Sequence, residues 1–155
     1  MKWVRTALPV VAAAVAMAAM AAPASATAGT DAGLTQRLAA QGGRLSADGA
    51  WMSMPNGVDV SLTPMVFGDC PGGWVCLWKD GGYSGRMLKW SDPGTRVPHL
   101  SDYGFNDQMS SWANRGSRLA RWWTDAEYNG THHDMAAGTS EAHGGGDTAS
   151  SFAIY

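Results

Sequence analysis

The sequence has little charge, little cysteine and, beyond its first third, no helical periodicity. Each absence removes a class of function. Charged side chains make up 15% of the 155 residues, with eleven Lys and Arg against thirteen Asp and Glu. No basic stripe can form from so few cations, so a phosphate-tracking nucleic-acid surface is not expected. Two cysteines, Cys70 and Cys76, are too few to hold a metal without further ligands at suitable spacing. There is no H-E-x-x-H, no nucleophile elbow and no glycine loop to cradle a phosphate. His132, His133 and Asp134 are adjacent, and neighbours on a strand point to opposite faces, so they do not converge on one ion. His99 and His143 have no partner visible in the sequence. The chain is not expected to be an enzyme.

Long apolar runs are also missing, except at the N-terminus. There Lys2 and Arg5 precede an Ala-, Val- and Met-rich run, Ala7 to Ala22, and Ala24-Ser25-Ala26 follows as a small-x-small site. Together these make a cleavable secretory signal peptide over residues 1–26. The run is short for a membrane span of about 20 residues, and Pro23 breaks it. A secreted, extracellular protein is expected, with no membrane attachment after cleavage. In an oxidising compartment the close pair Cys70 and Cys76 reads as one disulfide.

What is present falls into two parts. In residues 27–65, Leu34, Leu38 and Ala39 recur at helical spacing within Asp31–Gln41, and Gly42-Gly43 would stop that helix. Trp51, Met52 and Met54 lead into Pro55-Asn56-Gly57, after which Val58, Val60 and Leu62 alternate with Asp59 and Ser61. Asn-Gly between two such runs is a hairpin signal. This segment is expected as an N-terminal extension that either covers the main domain or serves as a pro-segment, with Gly42-Gly43 and Pro64 as hinges. From Val66 to Tyr155 the chain reads as short strands punctuated by glycine, which argues for an all-β sandwich or barrel. Alternation puts Trp74, Cys76 and Trp78 on one strand face and Val75 and Leu77 on the other. It also predicts Trp78 and Trp123 inward and Trp122 on the opposite face. Trp122 and Trp51 are then the tryptophans to suspect of surface work.

Within residues 66–155 a pattern is written twice. Trp78, Tyr83 and Gly85 recur as Trp123, Tyr128 and Gly130 with the same spacing. Each is followed by a second element, Asn106-Asp107-Gln108-Met109-Ser110-Ser111 and Gly146-Asp147-Thr148-Ala149-Ser150-Ser151. A repeat of this length marks a supersecondary unit that cannot bury its apolar face alone. The aromatic-x4-aromatic-x-Gly signature resembles the Greek-key motif of the βγ-crystallins. The second element matches that fold at every position in the first copy and departs at Gly146 in the second. More narrowly, Cys70-Pro71-Gly72-Gly73-Trp74-Val75-Cys76-Leu77-Trp78, with Tyr103–Asp107 and Ser110–Asn114, is similar to bacterial secreted peptidase inhibitors of the metalloproteinase-inhibitor type.

The resemblance implies two Greek keys in a βγ-crystallin-like sandwich, with a short helix and hairpin before it. It implies a monomer that binds an extracellular protease. The chain lacks the second disulfide, which braces the inhibitory loop in the family's type member, so the loop that would contact a protease is not assigned. The stretch between Gly130 and Gly146 looks flexible rather than braced. The resemblance also implies calcium ligands shared between the copies: Asp107, Gln108 and Ser110 from one, and Asp147, Thr148 and Ser150 from the other. One carboxylate per site implies weak binding, at about 10⁻⁴–10⁻³ M. The competing reading is that these Ser and Asp side chains close the turns of the Greek keys. A calcium-stabilised structural or antimicrobial module without inhibitory activity is the alternative function.

Overall fold

A computed structural model describes residues 31–155; the signal-peptide reading lies outside the described residues. The chain opens with helix α1 (Asp31–Ala40). Eleven strands follow: β1 (Arg44–Leu45), β2 (Trp51–Ser53), β3 (Asp59–Ser61), β4 (Val75–Asp80), β5 (Ser84–Trp90), β6 (Arg96–Val97), β7 (Ser111–Asn114), β8 (Ala120–Trp123), β9 (His132–Met135), β10 (Ser140–Glu141) and β11 (Ser151–Ile154). Leu34 and Leu38 bury one face of α1, whereas Ala39 is exposed. The helix ends where Gly42 takes φ 88°, and the Gly43 N–H returns to the Leu38 carbonyl, a glycine-terminated helix end.

The strands form two sheets, ordered β1-β2-β3-β5-β4-β7-β10 and β6-β11-β8-β9. Strands β4–β7 carry the first copy of the repeat and β8–β11 the second. Each copy keeps three strands together and sends its third to the other sheet: β6 pairs with β11, and β10 with β7. Neither copy therefore completes a sheet without the other, as expected for a unit that cannot bury its own apolar face.

The helix-and-hairpin segment is joined to this frame by a continuous ladder. Strand β3 pairs antiparallel with β5, and the Met87 N–H donates to the buried Ser61 Oγ at 2.6 Å. Ser61 thus lies on the outer face with Met87 and Trp51, opposite Val60 as the alternation predicts, but it is buried there rather than exposed. The hairpin turn falls at Pro55-Asn56-Gly57, with Gly57 at φ 82°.

The main core lies between the sheets. Val75, Leu77, Leu88 and Trp90 meet Val97, Ala120, Trp122, Met135, Phe152 and Ile154 there. Cys76, Trp78 and Met87 point to the outer face of the larger sheet and pack with Met65, Cys70 and Ala113. This corrects the sequence expectation for the tryptophans. Trp78 and Trp123 face outward from the sandwich, and Trp122, 2% exposed, fills its interior. Alternation assigned partners to faces correctly but not which face was interior, because loops bury the outer face as well. Trp51 is half-buried, with the Lys89 ammonium 3.8 Å from its ring centre, a cation–π contact rather than an open platform.

Candidate functional site

The doubled motif builds the same corner twice. Tyr83 and Tyr128 sit in the left-handed region, at φ 59° and 62°, which costs a non-glycine residue energy unless its surroundings hold it. Two contacts hold each. The rings meet Trp78 and Trp123 edge-on, at 5.5 and 5.2 Å between centroids, a favourable aromatic geometry. The backbone is pinned by the last serine of the six-residue element. Ser111 Oγ accepts from the Tyr83 N–H at 3.0 Å and donates to the Asp80 carbonyl at 2.7 Å. Ser151 Oγ accepts from the Tyr128 N–H at 3.1 Å and donates to the Asp125 carbonyl at 2.7 Å. Two residues on, Gly85 and Gly130 take φ 80° and 74°. A Cβ at Gly85 would lie 2.2 Å from Asp80 Oδ2, and one at Gly130 2.3 Å from Thr124 Oγ1.

The remaining residues of the element do something different. Asp107 and Asp147 are also left-handed, at φ 52° and 53°, a conformation Asp tolerates better than most side chains. Their N–H groups bond across the pseudo-symmetric pair, Asp107 to the Ala149 carbonyl and Asp147 to the Met109 carbonyl, each at 3.0 Å. Their carboxylates cross as well. Ser110 Oγ donates to Asp147 Oδ1 at 2.5 Å, and Ser150 Oγ donates to Asp107 Oδ1 at 3.2 Å. The two serines that the sequence presents side by side therefore have separate duties. Ser111 and Ser151 close their own turns, and Ser110 and Ser150 reach the aspartate of the other copy.

The six residues named from the sequence thus lie where the two loops interlock, and two carboxylate–hydroxyl pairs are formed within the set. Gln108 and Thr148 contribute their side chains elsewhere: Gln108 Oε1 accepts from Arg86 Nη2 at 3.4 Å, and Thr148 Oγ1 donates to the Gly145 carbonyl at 3.2 Å. Among the described residues no N–H donates to the main-chain carbonyl of Gln108 or Thr148. Carboxylate, hydroxyl and carbonyl oxygens are the hard donors that Ca²⁺ takes, so the donor chemistry fits that ion. The set is sparse. Among the described residues no three His, Cys, Asp or Glu side chains cluster as a metal site. Three features oppose tight binding: the Arg86 cation beside Gln108, the Asn106 amide on Asp107 Oδ2 at 2.6 Å, and Gly146, which offers no side chain.

Beyond this pair, Cys70 and Cys76 form a disulfide with Cα atoms 6.1 Å apart. It lies at the base of β4, in the outer cluster with Trp78. The histidines are dispersed. His132 and His133 pair across to Trp123 and Trp122 on opposite faces, with the His133 ring stacked 4.1 Å from that of Trp122. Asp134 bonds Arg121 at 2.5 Å, which holds its carboxyl below the usual carboxylate range. His99, without a visible partner in the sequence, meets Glu127 at 2.7 Å. Among the described residues no helix is long and apolar enough to cross a membrane.

Residues 63–135 match the model of peptidase inhibitor family I36. No curated protein matches the chain significantly. Among solved structures, one described under the evolution of the eye-lens βγ-crystallin domain fold is 23% identical, with a TM-score of 0.52, and covers 62% of this chain and 96% of that one. A βγ-crystallin from Ciona intestinalis is 23% identical, with a TM-score of 0.47, over 54% of this chain and 100% of its own. The exchange of β6 and β10 between the copies and the twin tyrosine corners agree with the structural likeness: the chain has the βγ-crystallin fold, and its residues 63–135 are similar to peptidase inhibitor family I36.

Proposed function

We propose that this protein is secreted and acts outside the cell as a monomeric inhibitor that binds an extracellular protease. The observation that carries the reading is the family match over residues 63–135, which spans the disulfide and the first Greek key. An inhibitor needs a surface that enters the enzyme's cleft already in its bound shape, because ordering a loop on binding consumes affinity. A small β-sandwich with a disulfide at the edge of its outer cluster supplies such a frame. The disulfide itself suits an oxidising compartment. The test is a panel of serine and metallo-endopeptidases incubated with the mature, oxidised protein. Stoichiometric loss of activity supports the reading; digestion of the protein with no loss of activity ends it.

A second reading, a calcium-stabilised extracellular module, is favoured by the crossed pairs Asp107–Ser150 and Asp147–Ser110. Ligands from both copies would tie the loops together when an ion sits between them. Each hydroxyl must first give up its bond to the carboxylate, so binding at about 10⁻⁴–10⁻³ M is expected. Calorimetry with millimolar Ca²⁺ decides it: no heat and no rise in melting temperature would remove calcium from the account.

A further inference from the structure

Five large apolar side chains are exposed among the described residues: Leu45, Val66, Phe67, Leu119 and Tyr155. Val66 and Phe67 are consecutive, at 60% and 40% exposure, and Leu119 and Tyr155 are neighbours through the Tyr155 N–H bond to the Leu119 carbonyl, at 36% and 44%. The first pair holds the most exposed of these side chains and lies on a disulfide-braced loop. They occupy the crest of a short segment leading into β4, and the segment is fastened at both ends. On the near side, Met65 is buried in the outer cluster and its N–H donates to the Gly85 carbonyl at 2.8 Å. On the far side, Cys70 is held by the disulfide to Cys76, and its carbonyl accepts from the Arg115 guanidinium. The crest is also bonded internally. The Val66 N–H donates to Asp69 Oδ2 at 2.7 Å, the Asp69 N–H returns to the Val66 carbonyl at 3.0 Å, and the Cys70 N–H reaches the Phe67 carbonyl at 3.2 Å. Phe67 rests edge-on against Tyr83 at 4.8 Å, with the Arg115 guanidinium 5.5 Å from its ring centre. Val66 has no such support, and its side chain stands in solvent.

An exposed apolar pair on a braced loop carries a continuing solvation cost that folding alone does not explain, and such patches mark interaction sites. The loop is already ordered, so docking it sacrifices little conformational entropy. We infer that residues 64–70 are the protease-contacting loop of this protein, with Val66 and Phe67 entering the apolar subsites of an endopeptidase that prefers large hydrophobic side chains. The inference rests on the inhibitor reading and assigns its contact surface. The competing segment, residues 136–146, holds Ala, Gly, Ser and Thr together with Glu141 and His143, and no large apolar group. The one disulfide of the chain braces the crest at Val66 and Phe67, not that segment.

The test compares the wild-type protein with Val66→Asp and with Leu119→Asp, an exposed apolar control elsewhere. Each is titrated against a chymotrypsin-type serine protease and thermolysin, whose primary subsites are apolar, and against a trypsin-type enzyme, whose subsite is acidic. Wild type should inhibit at least one of the first two and spare the third. Val66→Asp should raise the inhibition constant about tenfold or more, as loss of a buried apolar anchor does, and Leu119→Asp should leave it unchanged. Melting curves check that the variants are folded. If Val66→Asp proves unstable, Val66→Ala replaces it, with a loss of about threefold expected. Undiminished inhibition by a folded Val66 variant overturns the loop assignment and leaves the inhibitor reading intact. Inhibition of the trypsin-type enzyme alone overturns the loop assignment and leaves the inhibitor reading intact; no inhibition of any of the three overturns both.

Discussion

The two serines at the end of each six-residue element look alike in sequence, and the structure gives them different work, so they should differ in mutational cost. Consider Ser111→Ala. Ser111 is fully buried, and its hydroxyl satisfies the Tyr83 N–H and the Asp80 carbonyl together. Alanine leaves both without a partner. An unsatisfied buried group costs about 1–3 kcal/mol; both lie at the partly buried rim of the corner, so the lower half of that range applies to each. The sum is about 2–4 kcal/mol, lost from a residue already strained at φ 59°. Ser110→Ala differs. It removes a bond to the exposed Asp147 carboxylate, which water replaces, at a cost below about 1 kcal/mol. For a chain of this size the first loss corresponds to roughly 10 °C in melting temperature and the second to less than about 4 °C. Urea unfolding followed by tryptophan fluorescence, with Trp78 against the affected corner, measures both, provided the slope is unchanged. Ser151→Ala and Ser150→Ala repeat the comparison in the second copy. A Ser111→Ala cost within about 0.5 kcal/mol of Ser110→Ala would refute the division of labour.

Three further outcomes follow from the same geometry. Gly85→Ala should lose about 1–2 kcal/mol, mainly through its φ of 80°, since the Asp80 carboxylate that a Cβ would strike can swing aside; wild-type stability in urea would contradict this. Asp134 is depressed by its bond to Arg121, so what the pair adds to stability is present above the ordinary carboxylate value of about 3.9 and fades as pH falls through the lower folded value. In an NMR titration, Arg121→Ala should move the Asp134 midpoint upward, and an unmoved midpoint would deny the coupling. Tyr103 is raised by burial, partly offset by the hydrogen bond from Asn56. Its contribution is complete below about pH 10 and is lost as pH rises through the raised value, so ultraviolet titration of Tyr103→Phe should lack a late-ionising phenol that wild type shows.

Much of this frame was readable from side-chain chemistry. The glycines at 85 and 130 mark positions where a Cβ collides, and the alternation along residues 74–78 separates two faces correctly. Three things were not readable. Alternation cannot say which face is interior when loops cover the other, so Trp78 and Trp122 were exchanged. Positive φ at Tyr83 and Tyr128 is invisible in residue type, because tyrosine normally avoids it and only the serine and tryptophan contacts hold it there. The ladder between β3 and β5 is a long-range pairing that local pattern does not encode. For the candidate calcium site, the sequence named the six residues, and only the fold disclosed that each aspartate faces the serine of the other copy. The Val66–Phe67 crest is hidden in the sequence for a related reason: two apolar residues ahead of a strand read as core until their exposure is known.

The exchange of β6 and β10 has a consequence for how the molecule could be divided. The stretch joining the copies passes through exposed Ser117 and Arg118, and a single cut there would sever the chain without breaking a strand. The fragments would be mutual templates, each carrying the strand the other needs. Mixing separately produced halves should therefore regenerate the sandwich as a non-covalent heterodimer, a split protein whose reassembly reports on every contact between the two keys.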